Sequence, residues 1–243
     1  MSSFVSQGSL VLMRCGRAFS MPPAGGGRRG AVATFSPRSR RRLREKLHRL
    51  RWPGAVLFLT LTFDPERFPE NWKYHLHRFI VGFLKAFPGW GIVWKLEFHQ
   101  SGMPHFHLVL IPLAHVRVPF IKHKDLAERW GLGFVWVERV WNRRIGEYLA
   151  KYVYKAGPYP SGRPGGRWER VLSLDSADIS ETVSGWAPGR FWGLRGHLEW
   201  APVRLGAPAW AIRVALEVKK KVEERLGLRI RGWLAVFLDR QVT

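Results

Sequence analysis

The chain has 243 residues, 46% of them apolar, which is enough for one full domain with appendages or for two small domains with a proper core. Forty Lys and Arg against 18 Asp and Glu leave a net charge of +22, which suits a polyanion far better than a neutral metabolite and makes nucleic acid the first expectation. The single cysteine, Cys15, excludes an internal disulfide framework and a thiolate-rich zinc cluster; no apolar run approaches the ~20 residues of a spanning helix, and the first twenty residues lack a secretory signal, so the expectation is a cytoplasmic protein with no membrane partner.

Residues 1–35 include "PPAGGGRRG", which continues neither helix nor strand, and this stretch reads as a flexible lead-in. "SPRSRRRLREKLHRLR" follows, with Ser36 as N-cap, Pro37 at the first helical position, and Leu43, Leu47 and Leu50 on one stripe of a basic helix. From 28 to 51 there are ten Arg or Lys and one Glu. Arg38, Arg40, Arg41, Arg42 and Arg44 are candidates for DNA phosphate contact there, a solvated face being the equal alternative.

The central stretch is the best patterned. "AVLFLTLTF" (55–63) reads as a strand, and "NWKYHLHRFIVGFLKAF" (71–87) repeats Trp72, Leu76, Phe79, Ile80, Phe83, Leu84 and Phe87 at helical spacing. Strands "GIVWKLEF" (91–98) and "PHFHLVLI" (104–111) flank the turn "QSGMP"; a helix near 122–130, a strand "GFVWVERV" (133–140) and a helix from about 142 to 156 follow. The order β-α-β-β-α-β-α predicts an α+β fold, a ferredoxin-like or RRM-like open antiparallel sheet with helices on one face. After "KAGPYPSGRPGGRW" the chain reads as a linker or substrate loop, with a basic helix at about 209–226. The organisation expected is a basic N-terminal extension with a helix (1–53), a central domain (54–157), and a linker with a basic C-terminal region (158–243). There is no GxxxxGK[ST] run, so an appended nucleotide-driven motor is not expected.

Strand alternation sorts the polar residues. His105 and His107 share a face with Val109, while Phe106, Leu108 and Leu110 take the other. Glu97 shares its face with Val93, Lys95 and His99, and Thr60 and Thr62 alternate with Leu59, Leu61 and Phe63. The apolar rows are expected under the helices and the polar rows on the uncovered face. Two imidazoles and a carboxylate there make a three-ligand metal site with open positions. His99 is a candidate to support the ligands or touch substrate, as are Thr60 and Thr62.

In "WNRRIGEYLAKYVYKAG" Tyr148 and Tyr152 stand at i, i+4 on one helical face, with Lys151 and Lys155 three residues after each. A phenol, with a pKa near ~10, attacks phosphorus only when its oxygen meets a phosphate already polarised by cations. Packing is the competing reading of two helical tyrosines.

Taken together, these residues resemble the HUH endonucleases, specifically two-tyrosine rolling-circle replication initiators of phages and plasmids. "FLTLTF" (58–63) looks like their first motif, "PHFHLVL" (104–110) like the histidine-hydrophobe-histidine motif preceded by the glutamate of "LEF", and "YLAKYVYK" (148–155) like the tyrosine motif. "GRFWG" (189–193) is similar to a weaker downstream segment. The resemblance covers about residues 55–157 and implies the HUH endonuclease fold. It implies a divalent ion, Mg²⁺ or Mn²⁺, on His105, His107 and Glu97, and a tyrosine, Tyr148 first and Tyr152 second, attacking a scissile phosphate to leave a 5′-phosphotyrosine and a free 3′-hydroxyl. Lys151 would neutralise charge at the phosphate, and Lys155, Arg143 and Arg144 would contact DNA. The implied partners are single-stranded or hairpin origin DNA, a host helicase and a single-strand binding protein. Rival readings are a transposase or relaxase with the same core, a metallohydrolase using water, and an RRM-like single-strand binder. The last is disfavoured because the outward rows read as Thr, Glu and His rather than aromatic.

Overall fold

The computed structural model describes residues 4–7, 9–15, 32, 34–99, 101–113, 118–141 and 188–238. They form two compact units, one drawn from Met1–Arg29, Arg41–Arg51 and Trp200–Thr243, the other from Gly30–Arg40 and Trp52–Glu199.

The larger unit holds strand β3 (Ala55–Thr62), helix α2 (Trp72–Ala86), strands β4 (Gly91–Phe98) and β5 (Pro104–Ile111), helix α3 (His123–Trp130), and strands β6 (Val135–Trp141) and β7 (Trp192–Gly196). The strands hydrogen-bond in the order β6-β3-β5-β4-β7, every pair antiparallel. The first four reproduce the order expected of a ferredoxin-like sheet, and the fold is α+β as the patterning predicts. Lys73 sets the start of the added edge strand β7 by donating to the carbonyls of Pro188 and Arg190.

The apolar rows Leu57, Leu59, Leu61 on β3, Ile92 and Leu96 on β4, and Phe106, Leu108, Leu110 on β5 are buried. Helices α2 and α3 cover this face, α2 through Trp72, Leu76, Phe79, Ile80 and Phe83, α3 through Leu126 and Trp130. Phe106 is wholly buried at the centre, stacked 5.6 Å from Trp72 and edge-on to Phe63 and Trp94 at 6.1 and 6.3 Å. Two glycines are required by geometry. Gly131 ends α3 in the left-handed region at φ 65°, and a Cβ at Gly193 would stand 2.6 Å from the Trp94 indole that lies across it.

The smaller unit is a four-stranded antiparallel sheet in the order β8-β1-β2-β9, made of β1 (Phe4–Gln7), β2 (Leu10–Cys15), β8 (Val203–Leu205) and β9 (Gly232–Phe237). Helix α4 (Ala209–Leu226) packs Ala211 and Ala215 against Val11, Val236 and Leu238. Its small residues at i, i+4 let the backbone approach the sheet closely. The arginine-rich helix α1 (Pro37–Arg49) starts with Ser36 Oγ accepting from Ser39 N and buries Leu43 and Leu47. His48 hydrogen-bonds Ser9, and Arg49 Nε donates to Gln7 Oε1 at 2.5 Å.

Two readings of the sequence are corrected here. Residues 4–7 and 10–15 are strands, not a flexible lead-in, because β2 pairs along its whole length with β9, from Leu10 opposite Phe237 to Cys15 opposite Gly232. Trp192–Gly196, Val203–Leu205 and Gly232–Phe237 are likewise strands that the C-terminal pattern did not announce. The helix expected at about 142–156 lies outside the described residues.

Replacing Phe106 with Ala should cost about 3–5 kcal/mol, the range for emptying a large aromatic site in a closed core. Urea unfolding checks this through a lowered midpoint, while Phe106→Leu should retain most of the stability.

Candidate metal centre

Cross-strand register builds the centre. On β5 His105 stands opposite Thr62 of β3 and Glu97 of β4, and His107 stands opposite Thr60 and Lys95. Two adjacent rows of polar side chains therefore cross three central strands on the face turned away from α2 and α3. The ligand-capable atoms of Glu97, His105 and His107 lie within 4.8 Å of one another.

Glu97 Oε2 is 3.3 Å from His107 Nε2 and 3.6 Å from His105 Nε2. Charge-assisted hydrogen bonds are shorter, about 2.7–2.9 Å. Two ligand atoms each about 2.1 Å from one cation stand about 3.0–3.4 Å apart at angles of 90–109°. The observed spacing thus fits three groups around an ion better than three groups bonded to one another. Thr60 Oγ1 lies 3.0 Å from His107 Nδ1; with the ring proton on Nδ1, the Nε2 lone pair is left for a cation. His105 Nδ1 is buried with no hydrogen-bonding partner among the described residues. A purely structural buried network would be closed, since an unsatisfied buried polar atom costs about 1–3 kcal/mol.

The cluster is less open than strand alternation alone implies: Glu97, His105 and His107 keep only 11–13% of their side-chain surface exposed. Lys95, on the same face, is buried; its Nζ donates to Glu97 Oε1 at 2.5 Å and lies 5.4 Å from the centroid of the Phe35 ring. This divides the carboxylate, one oxygen to the ammonium and one toward the imidazoles. Burial by itself would raise the Glu97 pKa, but the contacts with His105 and His107 and the charge of Lys95 outweigh it and hold the carboxyl well below the usual carboxylate range. Burial pushes His107 below its ordinary value, against the opposing pull of Glu97. At neutral pH the centre presents a carboxylate and a neutral His107, the protonation states a divalent ion requires.

The remaining candidates are placed as follows. His99 is exposed just past β4, its ring 5.1 Å from that of His105. Thr62 Oγ1 donates to the Phe134 carbonyl and so turns to β6 rather than to the ligands. On α1, Arg38, Arg41 and Arg42 are exposed and Arg40 is half-buried; Arg41 lies 3.5 Å from Glu45, and the Arg44 guanidinium stacks 3.9 Å over Phe237, a packing contact. Tyr148, Tyr152, Lys151, Lys155, Arg143 and Arg144 lie outside the described residues. Sequence reasoning missed Lys95 as a member of the centre, although a lysine two residues before Glu97 in an otherwise apolar strand was the available signal. It also missed Trp136, which the register sets opposite Thr60 on the same face.

An open α+β sheet with a His-x-His pair and a cross-strand glutamate on its helix-free face defines a class of metal-capable phosphate-chemistry scaffolds. Residues 56–157 match the family model of the replication-associated protein ORF2 type, from β3 through β6 and on across "YLAKYVYK". No curated protein and no solved structure matches the chain. No helix among the described residues is long and apolar enough to cross a membrane.

Glu97→Gln should weaken Mn²⁺ binding at least tenfold, and Thr60→Val by about 10–100-fold through loss of the hydrogen bond behind His107, both read by calorimetry. In the metal-free protein, the imidazole NMR signals of His107 should titrate with a midpoint below 6.5, its ordinary value.

Proposed function

We propose that the chain is a site-specific single-strand DNA endonuclease and strand transferase that initiates rolling-circle replication through a 5′-phosphotyrosine intermediate. The observation that carries this reading is the convergence of Glu97, His105 and His107, within a segment that matches a replication-associated family and continues into paired tyrosines. The net charge of +22 agrees with a polyanionic substrate.

Mg²⁺ or Mn²⁺ held by Glu97, His105 and His107 would supply Lewis-acid polarisation of the scissile phosphate. His107 is oriented by Thr60, and Glu97 by Lys95, so the three groups need little rearrangement to act together. In the reading, Tyr148 gives up its phenolic proton and its oxygen bonds to phosphorus. The bond from phosphorus to the 3′-oxygen breaks, and that oxygen takes a proton and leaves as a hydroxyl. Lys151 neutralises the charge that builds on the phosphate, and Tyr152 serves the strand transfer that ends a round. The phosphodiester energy stays in the tyrosine link, so cutting and rejoining require no ATP.

On this reading the substrate is single-stranded or hairpin origin DNA, the setting is the cytoplasm of a prokaryote carrying a plasmid or phage, and unwinding falls to a separate helicase and single-strand binding protein. Arg38, Arg40, Arg41 and Arg42, with Lys155, Arg143 and Arg144, would add phosphate contacts whose counterion release makes binding steeply salt-dependent.

Incubation of the protein with labelled single-stranded DNA and Mn²⁺ should yield an adduct that survives denaturation, and Tyr148→Phe with Tyr152→Phe should abolish it while leaving DNA binding in place. Binding without an adduct would favour a nonenzymatic binder, and cleavage without an adduct would favour a water-using hydrolase. An adduct persisting in the double variant would overturn the tyrosine assignment.

A further inference from the structure

The row of side chains through His107 extends in register across all five strands of the sheet: Trp136 on β6, Thr60 on β3, His107 on β5, Lys95 on β4 and Trp192 on β7. Cross-strand partners project to the same face, so a tryptophan stands at each end of the polar row. The two differ in kind. Trp192 is half-buried, and its Nε1 donates to Ser39 Oγ at 2.9 Å, which fixes it in the fold. Trp136 is 55% exposed, and no described residue hydrogen-bonds its indole or stacks on its ring.

An indole left this far in water forgoes a large apolar burial, so its position next to a site calls for an occupant. We propose that Trp136 is a stacking platform for an unpaired base of the single-stranded DNA whose phosphate lies at the Glu97, His105 and His107 cluster. This rests on the function proposed above and adds a base-binding subsite to it.

Four features select that occupant. Trp136 is two strand spacings from His107, about 9.6 Å at the usual separation of neighbouring strands, so one DNA strand can reach both. The side chain between them is the small, polar Thr60. β6 is an edge strand of the sheet among the described residues, which leaves the indole approachable from the side. Glu138, opposite Phe58 and next along the same face, disfavours a phosphate there, so what rests on Trp136 is a base, with the backbone turned toward the centre. Any base offers a π-face to an indole, whereas a duplex keeps its bases stacked on one another, so the platform reads single strands with little sequence preference.

The test is anisotropy of a labelled oligothymidylate titrated with the full chain in EDTA, where cutting does not enter, alongside the same strand made wholly of abasic residues. Trp136→Ala should weaken binding of the thymidine strand roughly five- to a hundredfold, the range for one base stacked on an aromatic side chain. Trp136→Phe should keep most of the affinity, and Trp141→Ala, on the opposite face by alternation and also exposed, should bind as the unaltered chain does. On the abasic strand Trp136→Ala should change nothing. The dependence of affinity on salt should be the same with and without the indole, because no phosphate contact is lost. Equal affinity of Trp136→Ala and the unaltered chain, or an equal loss on thymidine and abasic strands, overturns the platform. If the unaltered chain still forms its tyrosine adduct in that case, the nicking function stands without the platform; if it binds no single strand at all, both fall.

Discussion

The register of β3, β5 and β4 is the constraint on which the rest of the larger unit depends. Side chains on a strand alternate with a period of two, so a slip of one residue would exchange the Thr60, His107, Lys95 row for the leucine row. The helix side forbids the slip. Phe106 sits between the two histidines in sequence and is wholly buried on the opposite face against Trp72, Trp94 and Phe63. Turning it outward would expose a phenyl ring and bury two imidazoles among leucines and aromatic rings, which apolar burial and polar desolvation both oppose. The core and the candidate metal centre are therefore set by one pairing.

Electrostatics inside the centre follow from that pairing. Lys95 and Glu97 are two apart on β4 and must share a face, so their charges meet where little water reaches them. Each would be expensive to bury alone, and together they offset most of that cost. The carboxylate and the ammonium leave the protein part of the centre close to neutral when the imidazoles are uncharged. A divalent ion held there would keep much of its charge for a phosphate oxygen, which a site crowded with carboxylates would quench. The same neutrality suits a centre that must release its product.

The local patterns in the sequence located the central elements well. Strands at 91–98 and 104–111 and the helix at 209–226 coincide with β4, β5 and α4, because each carries its own periodic signal over eight or more residues. Alternation also placed Glu97, His105 and His107 on one face before any coordinates. What stayed hidden is non-local. β1, β2, β8 and β9 are three to six residues long and gain their stability from partners distant in the chain, so no local window marks them. β7 contains two glycines and pairs with β4 because the Trp94 indole covers Gly193. Trp136 was in view as a letter, but assigning it to the metal face required knowing that Thr60 is its neighbour rather than Leu59 or Leu61.

The pairing of Cys15 with Gly232 has a consequence for how the molecule comes into being. During synthesis the hairpin of β1 and β2 emerges early, yet its second edge must wait for β9, on the order of ten seconds or more at ribosomal rates. Through that interval Leu10, Val11 and Met13 lack the cover they have in the finished fold, while the polypeptide for the other unit is still being made. The small sheet closes only after the middle of the chain has had time to fold, and until then its open edge is the part of the nascent protein most exposed to mispairing.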